Sequence, residues 1–165
     1  MLTMNYRGFA EGRVPTLEDR NYLPYCDATI MEIQRLSCVA PGALPHIAKD
    51  DGHLAGYKIS RGTLIMYNIY KFHMDPNYWE DPEIFNPGRF LDGKKKEHFV
   101  PYGMGKRICM GESLAKNELF IFFTIILQNL KIGLPIGREK LDPERADAGI
   151  VRVPKPFHVN ISARE

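Results

Sequence analysis

The stretch FVPYGMGKRICMGESLAKNELFIFF, Phe99 to Phe123, sets one cysteine in a glycine-studded loop and follows it at once with a strongly apolar run. Gly103, Gly105 and Gly111 let the backbone turn sharply and come close to a flat partner. The run after them predicts a helix over 111–130, which puts Cys109 at its entrance. There the unpaired N–H groups and the positive end of the helix dipole favour a thiolate. Lys106 and Arg107 add positive charge. A thiolate is a soft metal ligand. Unaccompanied by other cysteine or histidine ligands, Cys109 suits a metal whose remaining positions a cofactor fills. A buried structural cysteine is the bland alternative and the commonest fate of a single thiol. A phosphate-binding loop is a third reading. It fails in detail, because Arg107 follows Lys106 where such a loop needs Ser or Thr.

The bulk numbers agree with one ordinary domain. The chain has 165 residues, 44% hydrophobic and 25% charged, enough for a real core. A net charge of +2 is too small to argue for nucleic acid. Cys26, Cys38 and Cys109 form neither a CxxC pair nor a zinc quartet. So sparse a set suggests a reducing compartment rather than a disulfide scaffold. The opening MLTMNYRGFAEGR reads as neither a signal peptide nor a membrane span. The longest apolar run, Leu119 to Leu127, is interrupted by Thr124 and is far short of the ~20 residues a spanning helix needs.

Outward from the loop, Pro24 to Ser37 reads as a helix (24–37). Pro24 suits its first turn, Asp27 its positive end, and Ile30, Ile33 and Leu36 recur at helical spacing. Pro41, Gly42 and Pro45 end it. HLAGYKISRGTLIMYNIY holds β pieces over 53–70, two runs flanking a turn at Ser60-Arg61-Gly62. Residues 75–93 form an irregular packed meander in which Tyr78, Trp79, Phe85 and Phe90 need burial. The cysteine loop spans 99–111. The tail carries weak β runs, Leu130 to Pro135 and Gly149 to Ile161, with a C-terminal hairpin over 147–163 and its tip at Gly149-Ile150-Val151. The fold class is α+β with small antiparallel pieces.

Haem fits the metal reading of Cys109, because its porphyrin supplies the nitrogens and the protein need give only an axial ligand. The run Tyr102 to Gly111, YGMGKRICMG, closely resembles the haem-binding signature of the cytochrome P450 superfamily. An aromatic, two glycines, a basic residue, the cysteine and a glycine stand at the signature's spacings. The family usually has Phe where Tyr102 stands, so here a hydroxyl needs a partner or must point away from the haem. MEIQR places Glu32 and Arg35 three apart on one helix face. The bland reading is a surface ion pair worth ~0–1 kcal/mol. The pair also resembles the family's ExxR motif, and FNPGRF resembles its aromatic-Pro-x-Arg-Phe segment. By that resemblance Arg89 joins Glu32 and Arg35 in a structural charged cluster. Gly88 stands where the family often has Glu, which would loosen that segment.

The resemblance runs from about Pro15 to the C-terminus and is nearest to the microsomal, animal-type branch. It implies haem b held by Cys109 as axial ligand, with Tyr102, Gly103, Gly105 and Gly111 around it. It implies Arg107 and His46 at the propionates, although His46 could be an ordinary helix-exit histidine. It implies a substrate pocket that includes Ala43, Leu44 and Ile150. The implied activity is a monooxygenase inserting one oxygen atom of O2 into an apolar organic substrate. Electrons would come from an NADPH-cytochrome P450 reductase, docked through Lys94, Lys95, Lys96 and Lys106. The bland reading of those lysines is a solvated charge run. The implied place is the cytosolic face of the endoplasmic reticulum membrane, through an N-terminal anchor outside this sequence. Only the C-terminal third of the family's chain is matched. Neither Thr16 nor Thr29 has the glycine-rich helical setting of the family's oxygen-activating acid-Thr pair, so no catalytic residue is assigned. The alternative is a non-catalytic, truncated haem-binding or unstable fragment.

Overall fold

The computed structural model describes residues 13–94, 96–135, 137 and 150–164, and the backbone course of 145–148. Helix α1 spans Pro24–Ser37. Pro24 takes the first turn, where a missing N–H costs no hydrogen bond. Asp27 accepts from the Arg20 guanidinium at 2.6 Å. The helix stops at Cys38, whose left-handed backbone (φ 42°, ψ 60°) lets its N–H reach the Gln34 carbonyl. A short helix, α2 (Ile69–His73), follows, with the Asn68 side chain accepting from the Lys71 N–H. The longest helix is α3 (Glu112–Asn129), which starts after Gly111.

The described residues also form four two-stranded antiparallel pieces. Strand β1 (His46–Ile47) pairs with β4 (Leu64–Ile65), and β2 (Gly52–Leu54) with β3 (Tyr57–Ile59). Strand β5 (Leu130–Gly133) pairs with β8 (Asn160–Ala163), and β6 (Arg145–Ala148) with β7 (Val151–Pro154).

The expected turn at Ser60-Arg61-Gly62 is present between β3 and β4, with the Thr63 N–H donating to the Ser60 carbonyl at 3.1 Å. Two features differ from the sequence reading. The first run is itself a hairpin that turns at Ala55-Gly56, where both residues hold positive φ (49° and 84°), the geometry that matches strand twist in a two-residue hairpin. Strand β4 pairs with β1, and Ile69 and Tyr70 belong to α2. In the tail, the hairpin is β6–β7, and 160–163 pairs with β5 instead of closing a hairpin over 147–163. Pro154 and Pro156 lack the N–H groups needed to continue the ladder past β7.

The packing centre lies between α1 and α3, where Cys26, Ile30 and Phe120 are buried beneath Leu23, Ile121 and Phe123. Ile33, expected on the core stripe, is 43% exposed. The α1 face that is fully buried carries charge instead: Glu32 and Arg35 have no exposed surface. In the meander Trp79 is buried, whereas Tyr78 and Phe85 stay partly exposed, at 37% and 43%. Tyr78 spends one ring face on His98, stacked at 4.0 Å, and its hydroxyl accepts from the Glu97 N–H.

Candidate functional site

Glu32 is the hub of the buried charge. Its Oε2 accepts from Arg35 Nε at 2.8 Å. Its Oε1 accepts from Arg35 Nη2 at 2.8 Å, Arg89 Nε at 3.1 Å and the Asn86 N–H at 2.9 Å. Arg35 spends a further N–H on the His73 carbonyl at 2.7 Å. Arg89 donates to the carbonyls of Glu80, Asp81 and Ile84. Both guanidiniums lie over the Trp79 ring, at 5.3 and 5.9 Å. The indole N–H donates to the Phe72 carbonyl. One carboxylate thus fastens α1 to the meander, and it is too deeply buried to be a surface ion pair. At Gly88 a side chain would need Asn86 to shift. A Cβ there would stand 2.9 Å from Asn86 Oδ1, the atom that accepts the Gly88 N–H.

The cysteine loop leaves the meander through Phe99 and Val100. Phe99 stacks on His73, and the Val100 N–H donates to His73 Nε2 at 3.0 Å. His73 is fully buried, and burial together with the nearby Arg35 charge pushes its imidazole down to about 4. Gly103 and Gly105 hold φ of 81° and 71°, as a sharp turn requires, with open space where a Cβ would stand. The Cys109 N–H donates to the Tyr102 carbonyl at 3.0 Å, and the Cys109 carbonyl accepts from Glu112 at the start of α3. The thiol is exposed, unlike those of Cys26 and Cys38. The Tyr102 hydroxyl does have a partner: Gln34 Nε2 donates to it at 2.7 Å.

A cavity of about 420 Å³ opens beside this loop. Tyr102, Pro101, Ala115, Leu119, Phe122 and Val39 supply part of its wall. Ala43, Leu44, Ile150, His46 and Arg107 are not among its lining residues. Val39 begins the segment containing Ala43 (φ 51°) and the exposed Leu44. Its carbonyl accepts the Arg152 N–H at 2.8 Å, which sets the β6–β7 tip, with Ile150 exposed, beside that segment. His46 stands on β1 with its ring edge-on to Tyr67. Arg107 is exposed on a 3-10 turn, without an ion-pair partner among the described residues. Gly149 and Lys95 lie outside the described residues.

The Cytochrome P450 family model matches residues 7–161. The chain belongs to the cytochrome P450 family. It is 44% identical to rat cytochrome P450 2U1 over 162 residues, covering 96% of this chain and 30% of the relative. Human cytochrome P450 2U1 is 45% identical with the same coverage. Rat cytochrome P450 2B15 is 42% identical, covering 92% and 32%. A zebrafish cytochrome P450 solved with abiraterone superposes with a TM-score of 0.86 at 38% identity, over 93% of this chain and 36% of that one. This chain therefore spans about a third of the length of the P450s it matches, and its α+β architecture is that of the corresponding part of the P450 fold.

Cytochromes P450 carry haem b, and the residues present fit it. Among the described residues no three His, Cys, Asp or Glu side chains gather to hold a bare metal ion. A single exposed thiol therefore suits an iron that brings its own nitrogen ligands. The open faces of Gly103 and Gly105 leave room for a flat group at the loop. Met110, Ile108 and Phe122 offer uncovered apolar surface beside it. Thr29 and Thr16 are committed elsewhere in this P450: Thr29 Oγ1 donates to the Tyr25 carbonyl, and Thr16 shares a capping box with Asp19.

Residue type alone did not point to Gln34, His73 and Asn86; it gave the burial of Trp79 but not its place against the Arg35 and Arg89 guanidiniums. Gln34 stands between Glu32 and Arg35 in EIQR, and His73 opens HMDP. Asn86 acts through its backbone N–H, to which residue type is silent.

Proposed function

We propose that this P450 chain is the haem-thiolate part of a monooxygenase that inserts one oxygen atom of O2 into an apolar organic substrate. The observation that carries the reading is the exposed Cys109 thiol in a glycine loop seated against the buried Glu32 cluster. Cys109 is the axial ligand in this reading. Tyr102, Gly103, Gly105 and Gly111 shape the loop around the cofactor. Arg107 and His46 meet the propionate carboxylates; a guanidinium free of other ion pairs suits that task. Haem b, when bound, supplies the iron at which O2 is activated. The chain's own residues hold the thiolate and give the site a fixed floor.

Glu32, Arg35 and Arg89 act structurally. Their bonds run to one another and to backbone atoms of the meander and α2. Ala43, Leu44 and Ile150 line the substrate's approach, and the Val39–Arg152 backbone bond supports that grouping. An NADPH-cytochrome P450 reductase delivers electrons on the loop's side, and the whole protein works at the endoplasmic reticulum membrane. Among the described residues no helix is long and apolar enough to cross a membrane. The test is isotopic: with NADPH, reductase and labelled O2, the product of an apolar substrate acquires one labelled oxygen. A product whose new oxygen comes from water contradicts the reading.

A further inference from the structure

We propose that Gln34 is a positioning residue for Cys109, acting through the Tyr102 hydroxyl. The proposal rests on the reading of Cys109 as the iron's ligand. Gln34 Nε2 donates to Tyr102 Oη at 2.7 Å across 68 residues of sequence. A phenylalanine at 102 could make no such bond. Tyr102 also accepts the Cys109 N–H on its carbonyl at 3.0 Å. One residue therefore receives a bond from α1 on its side chain and a bond from the cysteine on its backbone.

The donor end of this chain is rigid. Gln34 lies on α1 between Glu32 and Arg35, both fixed in the buried cluster, and its carbonyl accepts the Cys38 N–H that closes the helix. The ring of Tyr102 is also flanked by Lys116 Nζ at 5.7 Å, itself paired to Glu112. A second anchor holds the loop's first residues: Val100 donates to His73, and Val100 accepts the Gly103 N–H. Beyond Gly103 the loop is exposed and contains a second positive-φ glycine, so its course rests on these anchors. Losing the Gln34 bond frees the Tyr102 ring to turn, and the backbone that orients the thiol loosens with it.

A double-mutant cycle on the haem-loaded protein at its native length tests this. The first readout is the equilibrium ratio of thiolate-type to other carbon monoxide spectra in sub-denaturing urea. The second is hydrogen exchange of the Cys109 amide, which needs no spectrum. Tyr102→Phe and Gln34→Leu should each lower the ratio roughly 2- to 10-fold, the range one hydrogen bond covers. The double variant should be no worse than the poorer single, since one bond is lost only once. Gln34→Glu, to which the phenol can donate, should stay within about 2-fold of wild type, and only while Tyr102 is present. Cys109 exchange should rise equally in both singles and the double. Singles indistinguishable from wild type, or losses that multiply in the double, overturn the proposal. A wild type without a thiolate-type spectrum overturns the ligand reading and Gln34's role toward the iron. The exchange arm then still decides the tether: unchanged exchange in the singles removes it.

Discussion

Replacing Glu32 by Gln keeps the shape of the side chain and removes the charge that two guanidiniums share. Four hydrogen bonds end on this carboxylate, and it is fully buried. At about 1.5–3 kcal/mol for each bond to a charged group, a simple sum would reach about 6–12 kcal/mol. That sum is too large, because the amide oxygen keeps some of the bonds and the ionic form carries its own desolvation cost. Removing one partner of a buried pair costs about 3–5 kcal/mol, most of it the charge left unpaired. We expect that range, which is a large part of the ~5–15 kcal/mol that holds a domain folded. The assay is urea unfolding followed by tryptophan fluorescence. Trp79 is the only tryptophan in the chain and lies over both Arg35 and Arg89, so it reports on the cluster directly. A Glu32→Gln protein that loads haem and unfolds within about 1 kcal/mol of wild type would refute the reasoning.

Three further outcomes follow from particular residues. Buried His73 titrates at about 4, whereas an unfolded imidazole takes its proton near 6.5, so the unfolded state binds more protons between these values. Stability should therefore be complete above pH ~6.5 and fall by up to about 3 kcal/mol toward pH ~4. His73→Gln keeps an acceptor for the Val100 N–H and should remove that leg; parallel pH curves would contradict it. Ile150→Phe should shift product regiochemistry, and product profiles untouched by changes at both Ala43 and Ile150 would dismiss the pocket assignment. For the reductase, the first-electron rate should fall with ionic strength, and a Lys95→Glu/Lys106→Glu protein should start lower and respond less. Matching salt curves would leave these lysines as surface charge; Lys96 already spends its ammonium on Asp92 at 2.6 Å.

What could be read from sequence was local. Pro24 and the Pro41-Gly42 break bound α1, and the glycines of the cysteine loop announce a turn that needs φ of 81° and 71°. The Glu32–Arg35 pair is visible because its members stand one helical turn apart. Strand pairing was not legible. Segments of two to four residues carry almost no register information, and β5 finds β8 through contacts such as Leu130 with Ala163. The depth of the cluster was hidden for a related reason. Its remaining bonds go to the Asn86 N–H and the His73 carbonyl, backbone groups that every residue possesses. The Tyr102 hydroxyl announced its need for a partner, but Gln34 is 68 residues away, and only the fold brings them together.

The ligation of iron by Cys109 is tested most directly by the reduced carbon monoxide spectrum of wild type, Cys109→Ala and Cys26→Ala in the full-length protein. Wild type and Cys26→Ala should show the thiolate-type band, since Cys26 is buried between α1 and α3. Cys109→Ala should lose it altogether. A thiolate-type band that survives in Cys109→Ala would contradict the account.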